Sequence, residues 1–192
     1  MNTPTAFHSV DTFNMSTMTT MTQSSGFTTS DSLEATATQS TCVLFLDFDG
    51  VTHPEPCKAE HEFCQLALIE EVLRQHPGVD VVISSSWRQV HTLDEMRAHF
   101  APDIAQRVVG VTPSNKQPTS AWLPGAAVSF EREGECDSWM KQNRSWGTPW
   151  VAIDDRAHWF RPDCADLLQT SSKTGFLPQD KATLAAMLQE RL

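Results

Sequence analysis

Two aspartates separated by one residue follow directly on an apolar run near residue 45. The run Val43-Leu44-Phe45-Leu46 leads into Asp47-Phe48-Asp49-Gly50. Alternate side chains of an extended chain point the same way, so the two carboxylates share one side, and the glycine lets the backbone turn away from a ligand. Carboxylates this close repel each other unless a proton or a cation lies between them. The pattern predicts a strand end that binds magnesium, with a calcium loop or an ordinary turn as the alternative.

Polar residues also end two later apolar runs. Residues 79–83 lead into Ser84-Ser85, and residues 150–153 lead into Asp154-Asp155. The carboxyl ends of parallel strands lie at one edge of a sheet, so the three polar ends are expected to converge there. The sequence therefore predicts one polar site built from three strands.

Hydrophobic periodicity predicts the elements that position these strand ends. The predicted helices cover residues 60–75, the stretch from the Thr92 capping box through Phe100, residues 133–143 and residues 179–192. Further strands are predicted at residues 108–111 and around Leu167-Leu168, and residues 112–130 are predicted to be a loop with Trp122 at the rim of the site. Strand and helix alternate, which predicts an α/β fold with a mainly parallel sheet between helical layers.

Composition limits the domain count and the partners. The 192 residues allow one domain, predicted over residues 41–192, because residues 1–40 are rich in Ser and Thr, lack Lys and Arg, and are expected to form a disordered tail. The net charge of -10 does not favour binding to nucleic acid, which depends on basic residues. The sequence contains five cysteines without a CxxC pair, and it shows no signal peptide and no long apolar run. These features predict a cytoplasmic protein without a membrane partner.

A second cluster contains residue types that bind zinc. His53, Cys57, His61 and Cys64 are close in sequence, and part of their spacing matches one side of a helix. Two prolines interrupt any helix across the group, and cysteine is often simply buried. We therefore favour the magnesium site over a zinc site.

The order of the polar strand ends resembles the haloacid dehalogenase (HAD) superfamily. Its first motif is Asp-x-Asp-Gly-[Thr/Val] after a hydrophobic strand, and its second and fourth motifs correspond to Ser84-Ser85 and Asp154-Asp155. With Trp87-Arg88 beside the serines, the chain most resembles the HAD domain of Swiss army knife RNA-repair proteins. The resemblance covers roughly residues 42–192. It implies a Rossmann-like three-layer sandwich and hydrolysis of phosphate esters through an aspartyl-phosphate.

The resemblance implies a role for each polar residue. Asp47 would be the nucleophile, and Asp49 the acid/base that protonates the leaving oxygen, for which its neighbours are expected to raise its pKa. Ser84 is expected to hold a phosphoryl oxygen, and Ser85 is the second candidate for this role. Arg88 is expected either to contact the substrate phosphate or to be an exposed arginine at a helix start.

A third motif supplies a positive charge that neutralises the phosphoryl group. Arg132 fits best, because Arg132-Glu133-Gly134-Glu135-Cys136 resembles the family pattern Arg-x-x-Glu, although an aliphatic residue usually stands in place of the cysteine. Lys116 and Lys141 are the competing candidates.

The resemblance also implies a magnesium ion at these strand ends. Its expected ligands are the side chains of Asp47, Asp155 and Asp154 and the main-chain carbonyl of Asp49. Of the two adjacent aspartates, Asp155 is expected to be the more direct ligand.

Only about thirty residues separate the first two motifs, which leaves no room for a large cap domain. An open site suggests a macromolecular substrate or a partner that closes over the site. We expect a phosphorylated substrate, either a small molecule or a nucleic-acid end. The alternatives are a non-catalytic HAD-fold binding or regulatory module that uses the tail for interaction, and a phosphotransferase.

Overall fold

The strand that precedes Asp47 lies at the centre of a five-stranded sheet. This is seen in a computed structural model that describes residues 41–114 and 130–192. The strands in these ranges are β1 (Cys42–Leu46), β2 (Val79–Ile83), β3 (Val108–Val111), β4 (Trp150–Asp154) and β5 (Leu167–Gln169). Their order is β3-β2-β1-β4-β5, and every neighbouring pair is parallel. The predicted parallel sheet is confirmed.

Helices cover both faces of this sheet. In the described part of the chain they are α1 (Leu66–Gln75), α2 (Leu93–Arg97), α3 (Pro102–Ala105), α4 (Glu131–Asn143) and α5 (Asp180–Gln189). Apolar residues of α1, α2, α3 and α5 pack with strand residues such as Leu44 on one face. On the other face, Cys136 and Trp139 of α4 pack against Val43 and Phe45. The three-layer α/β sandwich expected from the sequence is therefore confirmed.

The register of the central strands aligns the polar ends. All five residues of β1 are buried, because the strand is central and covered on both faces, which explains its unbroken apolar run. Leu46 pairs with Ile83 of β2 and with Ile153 of β4. The next residue of each strand is polar, so three polar residues lie level at one edge of the sheet.

Helix α1 begins later than predicted. The apolar spacing predicted a helix from residue 60, but α1 begins at Leu66, after a short 3-10 turn over Ala59–His61. Phe63 has a φ of 60°, which a right-handed α-helix does not accommodate. The prediction was wrong at this end because the backbone turns at Phe63.

The other helices differ mainly at their ends. The Thr92 capping box is confirmed, since Glu95 N–H donates to the Thr92 hydroxyl and Thr92 N–H donates to the Glu95 carboxylate. Helix α2 ends at Arg97, before the predicted Phe100, and α3 was not predicted. Helix α5 is shorter than predicted at its carboxyl end.

No separate domain interrupts the chain between β1 and β2, which contains only the loop over residues 47–65 and α1. The predicted tail over residues 1–40 lies outside the described residues, as does most of the predicted loop over residues 112–130, including Lys116 and Trp122. None of the helices in the described ranges has the length and apolar composition needed to cross a lipid bilayer. The cytoplasmic location stays a prediction.

Arg107 connects the end of α1 to the sheet. Its guanidinium donates to the main-chain carbonyls of Leu73, His76 and Val79 at 2.5 to 2.9 Å. The Leu73 and His76 carbonyls also accept main-chain N–H groups, from His76 and Val79, so Arg107 adds a second donor to each of them. Arg107 therefore joins α1 to β2.

We expect Arg107→Met to lower the free energy of unfolding by about 2–4 kcal/mol, because it removes several charge-assisted hydrogen bonds between α1, β2 and the Arg107 guanidinium. Urea denaturation followed by circular dichroism measures the loss. Lys58→Met is the control, since the exposed Lys58 pairs with the exposed Glu60 and a surface pair contributes little. Equal losses in the two variants would contradict this role of Arg107.

Candidate active site

Three carboxylates meet at the carboxyl edge of the sheet. Asp47 follows β1, Asp154 ends β4, and Asp155 comes next. Each offers a carboxylate oxygen, and these oxygens all lie within 4.8 Å of one another. The sequence predicted this convergence from two separate motifs.

The carboxylates leave oxygen atoms without donors. Asp154 Oδ1 accepts a hydrogen bond from Arg156 N–H at 2.8 Å, but Asp154 Oδ2 and Asp155 Oδ1 are buried and have no hydrogen-bond partner among the described residues. Buried oxygens without a partner cost free energy. A divalent cation would satisfy them, and an all-oxygen ligand set fits magnesium. The residues present therefore fit the metal that the resemblance implies.

The three aspartates also resist ionisation together. Burial raises the pKa of Asp154 to about 7, with a further contribution from the charge of Asp47. Burial likewise raises the pKa of Asp47 and that of Asp155. Like charges in a desolvated site make each ionisation harder, and a cation between them reverses this effect.

Gly50 allows Asp155 to approach the turn after Asp49. Gly50 has a φ of +73°, and a Cβ there would lie 2.7 Å from Asp155 Cγ and Oδ2. Thr170 Oγ1 donates to the Gly50 carbonyl at 2.8 Å and fixes the turn. The glycine of the first motif is thus required for two reasons: it allows the positive φ of the turn, and it leaves space for the Asp155 carboxylate.

Asp49 lies outside the group of three carboxylates. Trp87 Nε1 donates to its Oδ2 at 3.0 Å and to its Oδ1 at 3.2 Å, and His53 Nε2 lies 3.2 Å from its Oδ1. Phe63 N–H donates to His53 Nδ1 at 3.3 Å, and Thr52 Oγ1 lies 3.1 Å from the same nitrogen. The Phe63 contact favours the tautomer with its proton on Nε2, next to Asp49. Two donors therefore hold the Asp49 carboxylate in one orientation.

These donors lower the pKa of Asp49, and the hydrogen bond from His53 is the largest cause. The expectation that its neighbours raise this pKa is wrong for the free site, because hydrogen bonds to the ionised form favour ionisation. Coordination of a metal by the Asp49 main-chain carbonyl stays a prediction.

Of the two serines, Ser85 contacts the carboxylate of Asp47. A hydrogen bond from its side chain favours the ionised form of Asp47, and its Oγ accepts Trp87 N–H at 3.5 Å. Ser84 is also buried, and its N–H donates to the Leu46 carbonyl at 2.9 Å. The sequence favoured Ser84 as the phosphoryl-binding hydroxyl, whereas these contacts favour Ser85.

Arg88 is buried and bound to protein groups. Its Nη1 donates to the carbonyls of Ser84 and Ser85, each at 2.6 Å, and its Nη2 lies 2.6 Å from a Glu135 carboxylate oxygen. The alternative of an exposed arginine is therefore wrong. Since two of its three nitrogens already have acceptors, the contacts favour a positioning role over the predicted substrate contact.

Arg132 comes from the first turn of α4 and reaches the carboxylates. Its Nη1 lies 3.7 Å from Asp47 Oδ1, and its Nε lies 3.8 Å from Asp154 Oδ2. The side chain is only 5% exposed, and Nη1 has no hydrogen-bond partner in the described part of the chain. This donor is available to a phosphoryl oxygen. Lys141, by contrast, lines a different cleft, next to Trp146.

Three residues at the site were not predicted. The buried Glu135 carboxylate lies 2.6 Å from Arg88 and 3.6 Å from Arg132. The Trp159 ring contacts the guanidinium groups of Arg132 and Arg156 at 5.0 and 5.1 Å. The Arg-x-x-Glu spacing placed Glu135 one helical turn from Arg132 and was a usable signal. Trp159 and Arg156 carry no comparable signal in the sequence.

The model of one protein family, described as the HAD domain in Swiss Army Knife RNA repair proteins, matches residues 43–180. The chain belongs to this family. Comparisons with curated proteins and with solved structures give no match. The matched part of this HAD domain runs from β1 to the first residue of α5, and it contains all the site residues described above. The resemblance drawn from the motifs is confirmed.

The raised pKa of Asp154 makes the stability of this HAD domain depend on pH. Its pKa is about 7 in the folded protein, against an ordinary value of 3.8. Between these values the folded state holds a proton that the unfolded chain has lost, so stability falls as the pH rises from roughly 4 to roughly 7 and stays low above it.

We expect Asp154→Asn to raise the free energy of unfolding at pH 8 without metal by roughly 1–4 kcal/mol, because the variant no longer buries a charge at position 154. At pH 4 the two proteins should differ little. Urea denaturation in chelator at both pH values measures the difference, with the exposed Asp163→Asn as control. An equal gain in the free energy of unfolding at both pH values would contradict the proposed cost of the buried charge.

Proposed function

We propose that this HAD domain is a magnesium-dependent hydrolase of phosphate monoesters that acts through an aspartyl-phosphate on Asp47. The family supports a HAD-like phosphohydrolase at the superfamily level. One observation supports the finer proposal. The carboxylate of Asp47 lies close to those of Asp154 and Asp155 and to Arg132 Nη1, which has no hydrogen-bond acceptor among the described residues.

In the first step an Asp47 oxygen attacks phosphorus as the bond from phosphorus to the leaving oxygen breaks. Water then attacks the aspartyl-phosphate, which releases inorganic phosphate and restores the carboxylate. Arg132 Nη1 and the Ser85 hydroxyl would bind the other phosphoryl oxygens and balance the charge that develops on them. Ser84 is the second candidate for the hydroxyl role.

Asp49 would give a proton to the leaving oxygen and then take one from the attacking water. Its carboxylate is ionised in the free site, where His53 and Trp87 donate to it. A phosphate dianion beside Asp49 repels its negative charge and raises its pKa. The substrate itself would therefore promote the protonation that the first step requires.

Magnesium would be held by the carboxylates of Asp47, Asp154 and Asp155, and by the main-chain carbonyl of Asp49 if the family pattern applies. When bound it neutralises phosphoryl charge and orients the phosphate for attack. Arg88 and Glu135 would position the serines and Arg132 without contacting the substrate.

The proposed substrate is a phosphorylated small molecule or a nucleic-acid end. The family description refers to RNA repair proteins, which favours a nucleic-acid end. The net charge of -10 disfavours extended contacts with a polynucleotide backbone, so recognition would be confined to the phosphorylated terminus. The proposed location is the cytoplasm.

Magnesium-dependent turnover of an aryl phosphate tests the proposal. We expect Asp47→Asn to lower kcat by about 10³-fold or more, because the amide is a poor nucleophile, and we expect chelator to abolish turnover. Asp163→Asn serves as the exposed control. Phosphate release equal to substrate loss distinguishes hydrolysis from phosphoryl transfer.

Equal inactivity of wild type and Asp47→Asn on nucleotides, sugar phosphates and phosphorylated RNA ends would contradict the proposal. That result would favour the non-catalytic binding module.

Residues 41–192 are proposed to form the complete catalytic unit. Removing residues 1–40 should leave kcat and KM for the aryl phosphate unchanged, because every proposed catalytic residue lies after residue 40. Steady-state kinetics of the full and shortened chains make the comparison. A large loss of kcat would contradict this assignment, whereas loss of a binding partner alone would favour a role of the tail in interaction.

A further inference from the structure

Four rings form a cluster beside Asp49. This ring cluster consists of Phe63, Trp87, His91 and His99. Trp87 contacts the other three, with centroid distances of 5.2 Å to Phe63, 5.1 Å to His91 and 6.0 Å to His99. Phe63 and His99 are stacked at 3.9 Å with an angle of 18° between their planes. The two histidines are exposed, so the cluster extends from the site to solvent.

The ring cluster is attached to the proposed acid/base. Trp87 donates through Nε1 to both carboxylate oxygens of Asp49. Phe63 N–H donates to His53, whose other ring nitrogen contacts the same carboxylate. Phe63 keeps its left-handed backbone, with a φ of 60°, in this arrangement. Strained residues of this kind persist where the surrounding contacts determine them, and they are concentrated at ligand sites.

The reaction geometry shows which part of a substrate reaches these rings. In an in-line displacement the leaving oxygen lies opposite the attacking oxygen, and the acid that protonates it must be within hydrogen-bond distance. Asp49 is that acid in the proposed function. The group attached to the leaving oxygen therefore extends past Asp49 towards Trp87. Ser85 and Arg132 contact Asp47 itself and would face the other phosphoryl oxygens.

The chemistry of the ring cluster suits a flat aromatic group. All four side chains have planar π systems, and burial lowers the pKa of His99, so this imidazole is neutral at pH 7. Nucleic-acid bases stack on such side chains irrespective of their hydrogen-bond pattern, since every base has a π face. A sugar or glycerol group has no comparable face.

We propose that the ring cluster is a leaving-group subsite that stacks the base of a nucleotide carrying a terminal phosphate monoester. This inference rests on the proposed phosphohydrolase function and narrows its substrate to nucleotides and nucleotide ends. His91 and His99, as the exposed members, would contact the base, and Trp87 would connect the base to Asp49.

The test compares substrates with and without a base. Adenosine 5′-monophosphate and adenosine 3′-monophosphate carry a base, whereas ribose 5-phosphate presents a sugar phosphate alone. We expect wild-type kcat/KM to be about tenfold or more higher for at least one of the two nucleotides than for ribose 5-phosphate. Inorganic phosphate release in magnesium measures all three.

Substitutions at the exposed ring assign the preference to the cluster. His99→Ala should lower kcat/KM for the preferred nucleotide by about fivefold or more relative to its effect on ribose 5-phosphate, because only the nucleotide loses a stacking partner. His99→Phe should retain the preference, since it keeps an aromatic face. His61→Ala is the matched control, an exposed histidine outside the ring cluster.

Two outcomes would overturn the subsite while the proposed function stands. One is equal hydrolysis of nucleotides and ribose 5-phosphate by the wild type. The other is an equal loss on both substrate types in His99→Ala, which indicates a structural effect. Absence of magnesium-dependent turnover on the aryl phosphate and on all three substrates would instead overturn the proposed function, and the subsite with it.

Discussion

The burial of several carboxylates at one edge of the sheet is the constraint on which this site depends. The parallel sheet brings Asp47, Asp154 and Asp155 to one edge, and Glu135 adds a fourth buried carboxylate beside them. Two buried guanidinium groups, those of Arg88 and Arg132, face these four acids. If these six groups were all ionised, their charges would sum to two negative, which a divalent cation would offset. The half-exposed Arg156, whose Nε lies 3.7 Å from Asp155 Oδ1, adds a positive charge at the edge of the group. Burial, with a further contribution from the charge of Asp47, raises the pKa of Asp154 when no cation is bound.

The charged network also explains how a polar helix packs on the sheet. The first five residues of α4 bury Arg132, Glu133 and Glu135 rather than aliphatic side chains. Glu135 connects Arg132 to Arg88, which in turn holds the carbonyls of Ser84 and Ser85. The end of β2 and the start of α4 are thereby joined through ions, at the point where the phosphoryl group would bind. Loss of any one member leaves a buried charge without its partner, which costs more than an ordinary surface contact.

The strands and their polar ends were predictable because both are local properties of the chain. Apolar runs, broken only by Asp80 in β2, identified β1, β2 and β4, and the residues that follow them converge because the strands are parallel neighbours. Properties that depend on backbone conformation or on side-chain contacts were missed. The start of α1 depends on the backbone turn at Phe63, and the lowered pKa of Asp49 depends on hydrogen bonds from nearby His53 and distant Trp87. The sequence left Arg88 open between a substrate contact and an exposed arginine, because its partner Glu135 on α4 lies far along the chain.

The position of Asp49 joins substrate recognition to proton transfer. Its carboxylate is oriented by Trp87, and the same indole is the ring that contacts all other members of the ring cluster. A base stacked on the cluster would therefore contact the side chain that holds the proposed acid. Without substrate the donors keep Asp49 ionised, which is the wrong state for protonating a leaving oxygen. The phosphate of an arriving substrate is also negatively charged and would raise the pKa of Asp49. The protonated form that the first step needs would therefore arise only when phosphate and leaving group are both in place.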